Sequence, residues 1–533
     1  MREKVSVEFE SILFCSGSGT AVQSHATVQD LALDQVFAAI GRDAPLARAA
    51  FEGLLLDPAD VAYRQDVFRA LEHDRVRAVA DTFLRDIDVC QRRREASASA
   101  HYRYEREIWH LRAVVGYVDA VEALVSGLAG AVADSPGSSA GWEALARHAS
   151  EYRASAVFGA LEAEAIALDD DLGRLRFDAL IRGSRVSVAT TDGESDLGVE
   201  VTQVFARFRQ GEVSDHRTQF REPSLDHVQA WVLENVAKVH AQVFEQLQRF
   251  AATTEAFQDP TLMRFADEVR FYLAYLDFVA PLQRAGLPVT YPVVTAESKR
   301  LVVSGAWDLA LAARLVENGS PVVTNDLSLT GPERILVISG PNQGGKTTMA
   351  RVFGQIHYLA AIGCPVPGAE AEIPLCGQIV TVFEREEQLD TLEGRLGAEI
   401  GRLHAAFEDA TERTVFVINE AFASTALQDA RILTRDVLER ICALGALGVC
   451  VTFIDELSRL NEHTVSMVST VDPHDPAVRT FQVERRDADG RAFAHALAAK
   501  HGLTEAQVRN RIIANAGTHR SGSVPAGEGE DER

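Results

Sequence analysis

In the first third of the chain apolar residues recur every three or four positions. Between Asp60 and Asp86, the residues Val67, Leu71, Val76, Val79 and Phe83 follow that spacing among Arg, Asp and Glu, the pattern of amphipathic helices. With few prolines from Thr27 to about Arg174, this predicts a mostly α-helical region. Polar interruptions at Asp134–Ser139 and Thr191–Asp196 predict loops. Around the second, Arg185–Thr190 and Leu197–Phe208 carry alternation and β-branched residues, so a small β hairpin or ribbon is expected near 182–222. Helical spacing then returns. Val228, Trp231, Val232, Val236, Val239, Val243, Leu247 and Phe250 form one stripe, which predicts a single long helix over Ser224–Phe257 closed by Pro260. A second helix is expected from Leu262 to Ala285, ending near Gly286-Leu287-Pro288.

From about Tyr291 to His501 the pattern changes to strand and helix in alternation. Apolar strands are expected at Arg334–Ile338, Ile379–Phe383, Thr414–Ile418 and Gly448–Phe453, with helices after Lys346, around Leu396–Phe407 and over Asp429–Leu444. Such alternation implies a mainly parallel sheet covered by helices. The tail Ser521–Arg533, rich in Gly, Ser and acid, is expected to be disordered. The organisation read from the pattern is thus an N-terminal segment (1–26), a helical domain (27–290), an α/β domain (291–520) and a tail (521–533).

One strand-to-helix junction carries a complete chemical motif. Gly340, Pro341, Asn342, Gln343, Gly344, Gly345, Lys346, Thr347 and Thr348 read G-x-x-x-x-G-K-[ST]-T between the strand ending at Ser339 and the helix that follows. In that setting backbone N–H groups and the positive end of the helix surround the phosphates, the lysine reaches the β- and γ-phosphates, and the threonine hydroxyl takes a magnesium position. A nucleoside triphosphate with Mg²⁺ is the expected ligand, with Thr347 at the metal. About seventy residues on, the strand Thr414–Ile418 runs into Asn419-Glu420. Such a strand end holds the group that supports magnesium and then the acid that polarises water. Here Asn419 takes the magnesium position without a negative charge, and Glu420 is the candidate general base. The polar strand end Thr381–Glu387 reads equally as a solvated loop or as a second element near the site.

Composition narrows the classes. The chain has 533 residues, 24% charged and 47% hydrophobic, ordinary for a multidomain globular protein. No stretch approaches the roughly 20 apolar residues that span a bilayer, and the first six residues carry no secretory h-region, so a cytoplasmic protein without membrane attachment is expected. The six cysteines form no metal-type cluster and are assigned no chemistry. A formal net charge of −24 opposes nucleic-acid binding except through a local basic surface.

Three elements together resemble the ATPase domain of the MutS family of DNA mismatch-repair proteins: GPNQGGKTT (340–348), Ala361-Ile362-Gly363-Cys364-Pro365-Val366-Pro367-Gly368, and Asn419-Glu420-Ala421-Phe422-Ala423-Ser424-Thr425. The likeness runs from about Ser320 to a helix at Thr504–Ile513. It continues more faintly upstream, where Tyr63–Val67 and the helices of Ser224–Ala285 are similar to the family's core and lever region. The early residues do not resemble its mismatch-reading domain. The resemblance implies an ABC-type P-loop ATPase domain preceded by a mostly helical core and lever domain. It also implies a homodimer that encloses each nucleotide with a partner subunit, coupled to DNA. Carried over by position, Gly340–Thr348 would bind phosphates, Thr347 magnesium, and Glu420 would activate water, while Thr425 and Asp429 would lie near the dimer contact.

Three departures qualify that implication. Asn419 stands where the family usually has Asp, and Phe453 stands where it has a histidine that senses the γ-phosphate. Asp390–Glu399 lacks the serine-bearing signature, with Gly394-Arg395 near its place. Phenylalanine cannot donate a hydrogen bond to phosphate, so slow hydrolysis with intact binding is expected. Arg182, Arg185, Arg207, Arg209, Arg217 and Arg221 are candidates for DNA backbone contacts. The competing function is an ATP-dependent switch that holds a protein partner without nucleic acid, which the acidic charge favours.

Overall fold

A computed structural model describes residues 9–15, 19–40, 45–134, 139–182, 185–190, 225–383, 395–475, 478–488, 505 and 507–509. The expected strand at Leu197–Phe208, the arginines at 207, 209, 217 and 221, residues 384–394, most of the helix Thr504–Ile513 and the tail 521–533 lie outside the described residues. The chain divides into two compact units, one of Met1–Ile12 with Arg69–Val269 and one of Leu13–Phe68 with Arg270–Arg533.

The first unit is helical. Asp74–Ser99, Arg103–Asp134, Ala140–Arg153 and Ala156–Arg174 are long helices, followed by the antiparallel hairpin Phe177–Arg182 and Arg185–Thr190. Of this hairpin only Arg185–Thr190 was expected as β structure; its partner Phe177–Arg182 begins upstream of the expected ribbon. Over Arg103–Ala131 the second helix is long and apolar enough by length and composition to cross a membrane, contrary to the sequence expectation. One face of it, with Leu111, Val114, Val118, Val121 and Leu124, is buried, and it packs along Asp74–Ser99. It is therefore a core helix of this unit.

The long helix expected over Ser224–Phe257 is two helices, His227–Val239 and Ala241–Thr253. His240 breaks it, with φ −112° and ψ 45°, outside helical geometry, and its Nε2 meets the carbonyl of Arg176 at 3.2 Å. The apolar stripe runs through the break, so periodicity alone could not reveal it. The first of these helices opens on a capping box formed by Asp226 and Gln229. The next helix, Pro260–Arg284, matches expectation.

The second unit is built on a six-stranded sheet in the order Gln378–Phe383, Thr414–Asn419, Leu447–Val451, Ile335–Ser339, Thr464–Val471 and Arg479–Arg485. The first five run parallel and the last is antiparallel. Every position of Ile335–Ser339, Thr414–Asn419 and Leu447–Val451 is buried, as parallel strands covered on both faces require. One face packs the helix Lys346–Ala361, itself almost wholly buried. On the other, Leu403, Leu438 and Ile441 join Ile335, Phe416 and Ile418 in one apolar cluster. Alternation also concealed a second sheet. Val293–Thr295, Glu370–Pro374, Leu301–Ala306 and Asn325–Leu329 form a mixed four-stranded sheet, parallel only in its first pair.

Early residues belong to this unit as well. Gln355, fully buried on the helix Lys346–Ala361, donates to the carbonyl of Leu31, and its Oε1 accepts from the N–H of Leu309. Buried Arg64 donates to the carbonyls of Leu13 and Ile362. Together these bonds fix the middle and the C-terminal end of the helix that follows the glycine loop.

Candidate nucleotide site

The loop Gly340–Gly345 leaves the carboxyl end of a central strand and enters a helix at Lys346, the place where open α/β sheets bind ligands. Two of its glycines need left-handed backbone, Gly340 at φ +117° and Gly345, the helix cap, at φ +93°. Crowding demands a third. A Cβ on Gly344 would sit 2.2 Å from Ser469 Oγ, whose hydroxyl donates to the carbonyl of Gly344 at 2.6 Å. Ser469 is fully buried on the neighbouring strand, so the loop is held against the sheet from outside its own sequence.

Lys346 is 4% exposed, and its Nζ donates to the carbonyls of Gly340 and Pro341 and to Asn342 Oδ1 at 3.1–3.2 Å. Its hydrogen-bond partners are all uncharged oxygens. Burial lowers the ammonium pKa, the nearby Glu420 carboxylate opposes that shift, and Arg479 adds to it. A buried cation whose hydrogen bonds all go to neutral acceptors fits a polyanionic ligand, which would supply charged acceptors in direct contact.

The second cluster comes from other strands. Thr347 Oγ1 donates to Asn419 Oδ1 at 3.0 Å across the intervening strand Leu447–Val451. Among the described residues no three His, Cys, Asp or Glu side chains gather to hold a metal. A hydroxyl and an amide oxygen fit the protein's share of a magnesium shell completed by phosphate oxygens and water. Glu420, just past Asn419, has φ +54° and donates its N–H to the carbonyl of Val451 at 3.0 Å. Phe422 follows at φ +62°, buried, with its N–H donated to the buried Glu399 carboxylate at 2.9 Å. Two non-glycine residues in this region represent stored strain, and the bonds from Val451 and Glu399 maintain it. Phe453 is 52% exposed, its ring centroid 4.8 Å from Lys346 Nζ. Asp429 lies in the first turn of the helix Leu427–Leu444.

An apolar cavity of about 280 Å³ opens beside Gly345 and Thr348, lined in part by Leu311, Leu315, Val322, Met349 and Phe481. Phe481 is 50% exposed at φ +59°. It sits where the pairing of the last two strands shifts register between Ser469 and Val471, and the Thr470 and Thr480 hydroxyls pair at 2.6 Å across that irregularity. Bulges of this kind re-aim a side chain beside a site.

Ser469, Glu399, Arg479 and Phe481 were not read from the sequence as site residues. Only Glu399 fell in a stretch already singled out, as the last residue of Asp390–Glu399. The others lie in two strands at the sheet margin that carry no motif. The cysteines behave as expected of packing residues. All six are free, and burial pushes the Cys90 thiol up to about 11 and those of Cys376 and Cys450 up to about 12.

Residues 336–509 match the family profile of MutS domain V. This is a MutS-type ATPase domain. The domain is an ABC-type P-loop ATPase, and the strand, loop and helix described above lie within or directly beside the matched span. A DNA mismatch repair protein MutS of Shouchella clausii is 28% identical over 327 residues, 59% of this chain and 37% of the relative. One from Streptococcus suis is 25% identical over 293 residues, 52% of this chain and 34% of the relative. One from Chloroflexus aurantiacus is 30% identical over 182 residues, 33% of this chain and 18% of the relative. The chain spans between 18% and 37% of the length of these curated relatives. It is a divergent relative that shares the MutS-type ATPase domain.

Proposed function

We propose that this chain binds ATP at Gly340–Thr348 and hydrolyses it slowly at Glu420. The observation that carries the reading is the buried Lys346 ammonium, hydrogen-bonded to neutral loop oxygens at the N-terminal end of the helix Lys346–Ala361. In this reading the base enters the apolar cavity beside Gly345, the loop N–H groups take the phosphates, and Lys346 exchanges its loop oxygens for the β- and γ-phosphates. Thr347 and Asn419 would hold the metal, and Mg²⁺ there would supply charge neutralisation of the phosphates. Glu420 accepts a proton from water as the water oxygen bonds to the terminal phosphorus. The bond to the bridging oxygen breaks, leaving ADP and phosphate.

Asn419 brings no charge to the metal position and Phe453 no hydrogen-bond donor to the phosphate end, which supports slow turnover. The test is nucleotide affinity measured on purified protein and on Lys346→Ala. Loss of the lysine should weaken ATP binding about 100-fold. Unchanged affinity in that variant overturns the assignment.

A nucleotide-dependent homodimer acting on DNA, structure-specific or recombination-linked in place of mismatch reading, is the wider function we infer. That the relatives are DNA mismatch repair proteins supports the DNA part, and the −24 net charge requires that DNA contact be local and strongly salt-dependent. Binding to branched and linear duplexes across a salt series tests the DNA part. Undetectable binding at low salt with ATP present supports instead the switch that holds a protein partner. Sedimentation with and without ATP tests the dimer, and a monomer in both conditions removes it. A cytoplasmic location accords with this reading.

A further inference from the structure

The strand Arg479–Arg485 carries a cation at the loop that the proposed function has not used. Arg479, half-buried at the start of that strand, donates from Nε to the carbonyl of Asn342 at 3.1 Å. Asn342 is also the residue whose side chain receives Lys346 Nζ at 3.2 Å, so the two cations flank one loop position. Two residues on, Phe481 lines the apolar cavity, and its backbone lies against Gly345 at the opposite end of the loop. The strand therefore follows the loop from its helix end to Asn342. A nucleotide with its base in the cavity and its β-phosphate at the helix mouth places its terminal phosphate on the Asn342 side.

The register shift at Ser469/Val471 gives this placement its cause. Regular pairing continued from Ser469 and Val483 would set Val471 opposite Phe481, whereas the bulge pairs Val471 with Arg479. The Thr480 hydroxyl donates to the Thr470 carbonyl at 2.9 Å, and Thr470 Oγ1 bonds the Gln482 carbonyl at 3.3 Å. Asn325 adds a third fixing point, with Nδ2 on the Phe481 carbonyl at 3.2 Å and Oδ1 accepting from the Val483 N–H at 2.7 Å. Phe453, on the same rim, presents a ring to Lys346 and has no donor for a phosphate oxygen. A guanidinium carries its N–H donors in a fixed planar fork whose geometry matches phosphate oxygens.

Resting on the proposed ATP site, we propose that Arg479 is a phosphate-binding arginine supplied from within the same chain. It contacts the terminal phosphate and makes the site prefer a nucleoside triphosphate over the diphosphate. Its electrostatic influence on Lys346 accords with the closeness of the two cations.

Equilibrium binding of ADP and of a non-hydrolysable ATP analogue separates this role from a structural one. Arg479→Ala should weaken the triphosphate analogue about tenfold and leave ADP within about twofold. Arg479→Lys, which keeps charge but loses the fork, should recover part of the difference. Equal loss for both nucleotides, or loss for neither, overturns the proposal. Thermal melting of each variant without nucleotide shows whether the fold is retained, and the Lys variant serves as the measure should the Ala variant melt early. Lys346→Ala in the same assay addresses the parent reading separately. If it leaves both affinities intact, the ATP site itself is wrong; if it weakens both while Arg479→Ala changes neither, only the arginine role fails.

Discussion

The loop wall of the site and the wall opposite are built by different means. Gly340–Thr348 is one continuous stretch whose backbone, helix start and lysine make a phosphate cradle with little help, apart from the Ser469 hydroxyl that clamps Gly344. The opposite wall gathers Asn419 and Glu420 from one strand end and Phe453 from beyond another, and Glu399 props its strained turn through Phe422. Binding chemistry is thus encoded in a contiguous motif, while the chemistry of hydrolysis depends on separate residues that can change one at a time. In this chain the motif is intact, and the altered positions lie on the assembled wall.

Glu420→Gln bears hardest on the comparison. If the opposite wall performs the proton transfer, this variant should lower ATP turnover about 100-fold or more while ATP affinity stays near that of the parent protein. A fall in affinity with turnover per bound nucleotide preserved would show that the two walls are not separable in this way.

Acid should break the loop wall through His357. This side chain is fully buried on the helix Lys346–Ala361, its Nδ1 on the carbonyl of Phe353 at 2.7 Å and its Nε2 without a partner. Burial lowers its pKa from 6.5 to about 4. The unfolded chain therefore binds a proton between those values that the folded helix refuses. Stability is complete above pH 6.5 and is lost as pH falls toward about 4, by about 3 kcal/mol at the lower end. Urea unfolding followed across that range should show a flatter acid limb in His357→Leu than in the parent, and identical limbs would refute the assignment.

Asn419→Asp should have a smaller effect, confined to the opposite wall. A carboxylate 3.0 Å from the Thr347 hydroxyl adds charge to the metal position, so half-maximal turnover should need about tenfold less Mg²⁺, with ADP affinity measured without metal unchanged. A magnesium requirement that does not move would take Asn419 out of the metal shell.

Much of the nucleotide site was legible along the chain because its parts are local. The strand Ile335–Ser339, the loop and the helix are consecutive, and the positive φ at Gly340 and Gly345 is what the motif's glycines anticipate. The strand end at Asn419-Glu420 was legible for the same reason, as a buried apolar run meeting a polar pair. The break at His240 was not, because a change in one residue's ψ leaves the apolar spacing on either side intact. The mixed sheet of Val293–Thr295, Glu370–Pro374, Leu301–Ala306 and Asn325–Leu329 was also hidden, since its short strands pair across large sequence separations.

By itself the sequence determined that a phosphate cradle exists, which residues line it and which wall lacks a charged metal ligand, because backbone shape and side-chain chemistry at those positions follow from residue type and order. Only the tertiary structure decided that Ser469 clamps the loop, that Glu399 holds the turn after Glu420, and that Arg479 and Phe481 reach opposite ends of the loop from one bulged strand. These contacts join residues from about 23 to more than 130 positions apart, and no local pattern encodes a pairing that exists only once the sheet has closed.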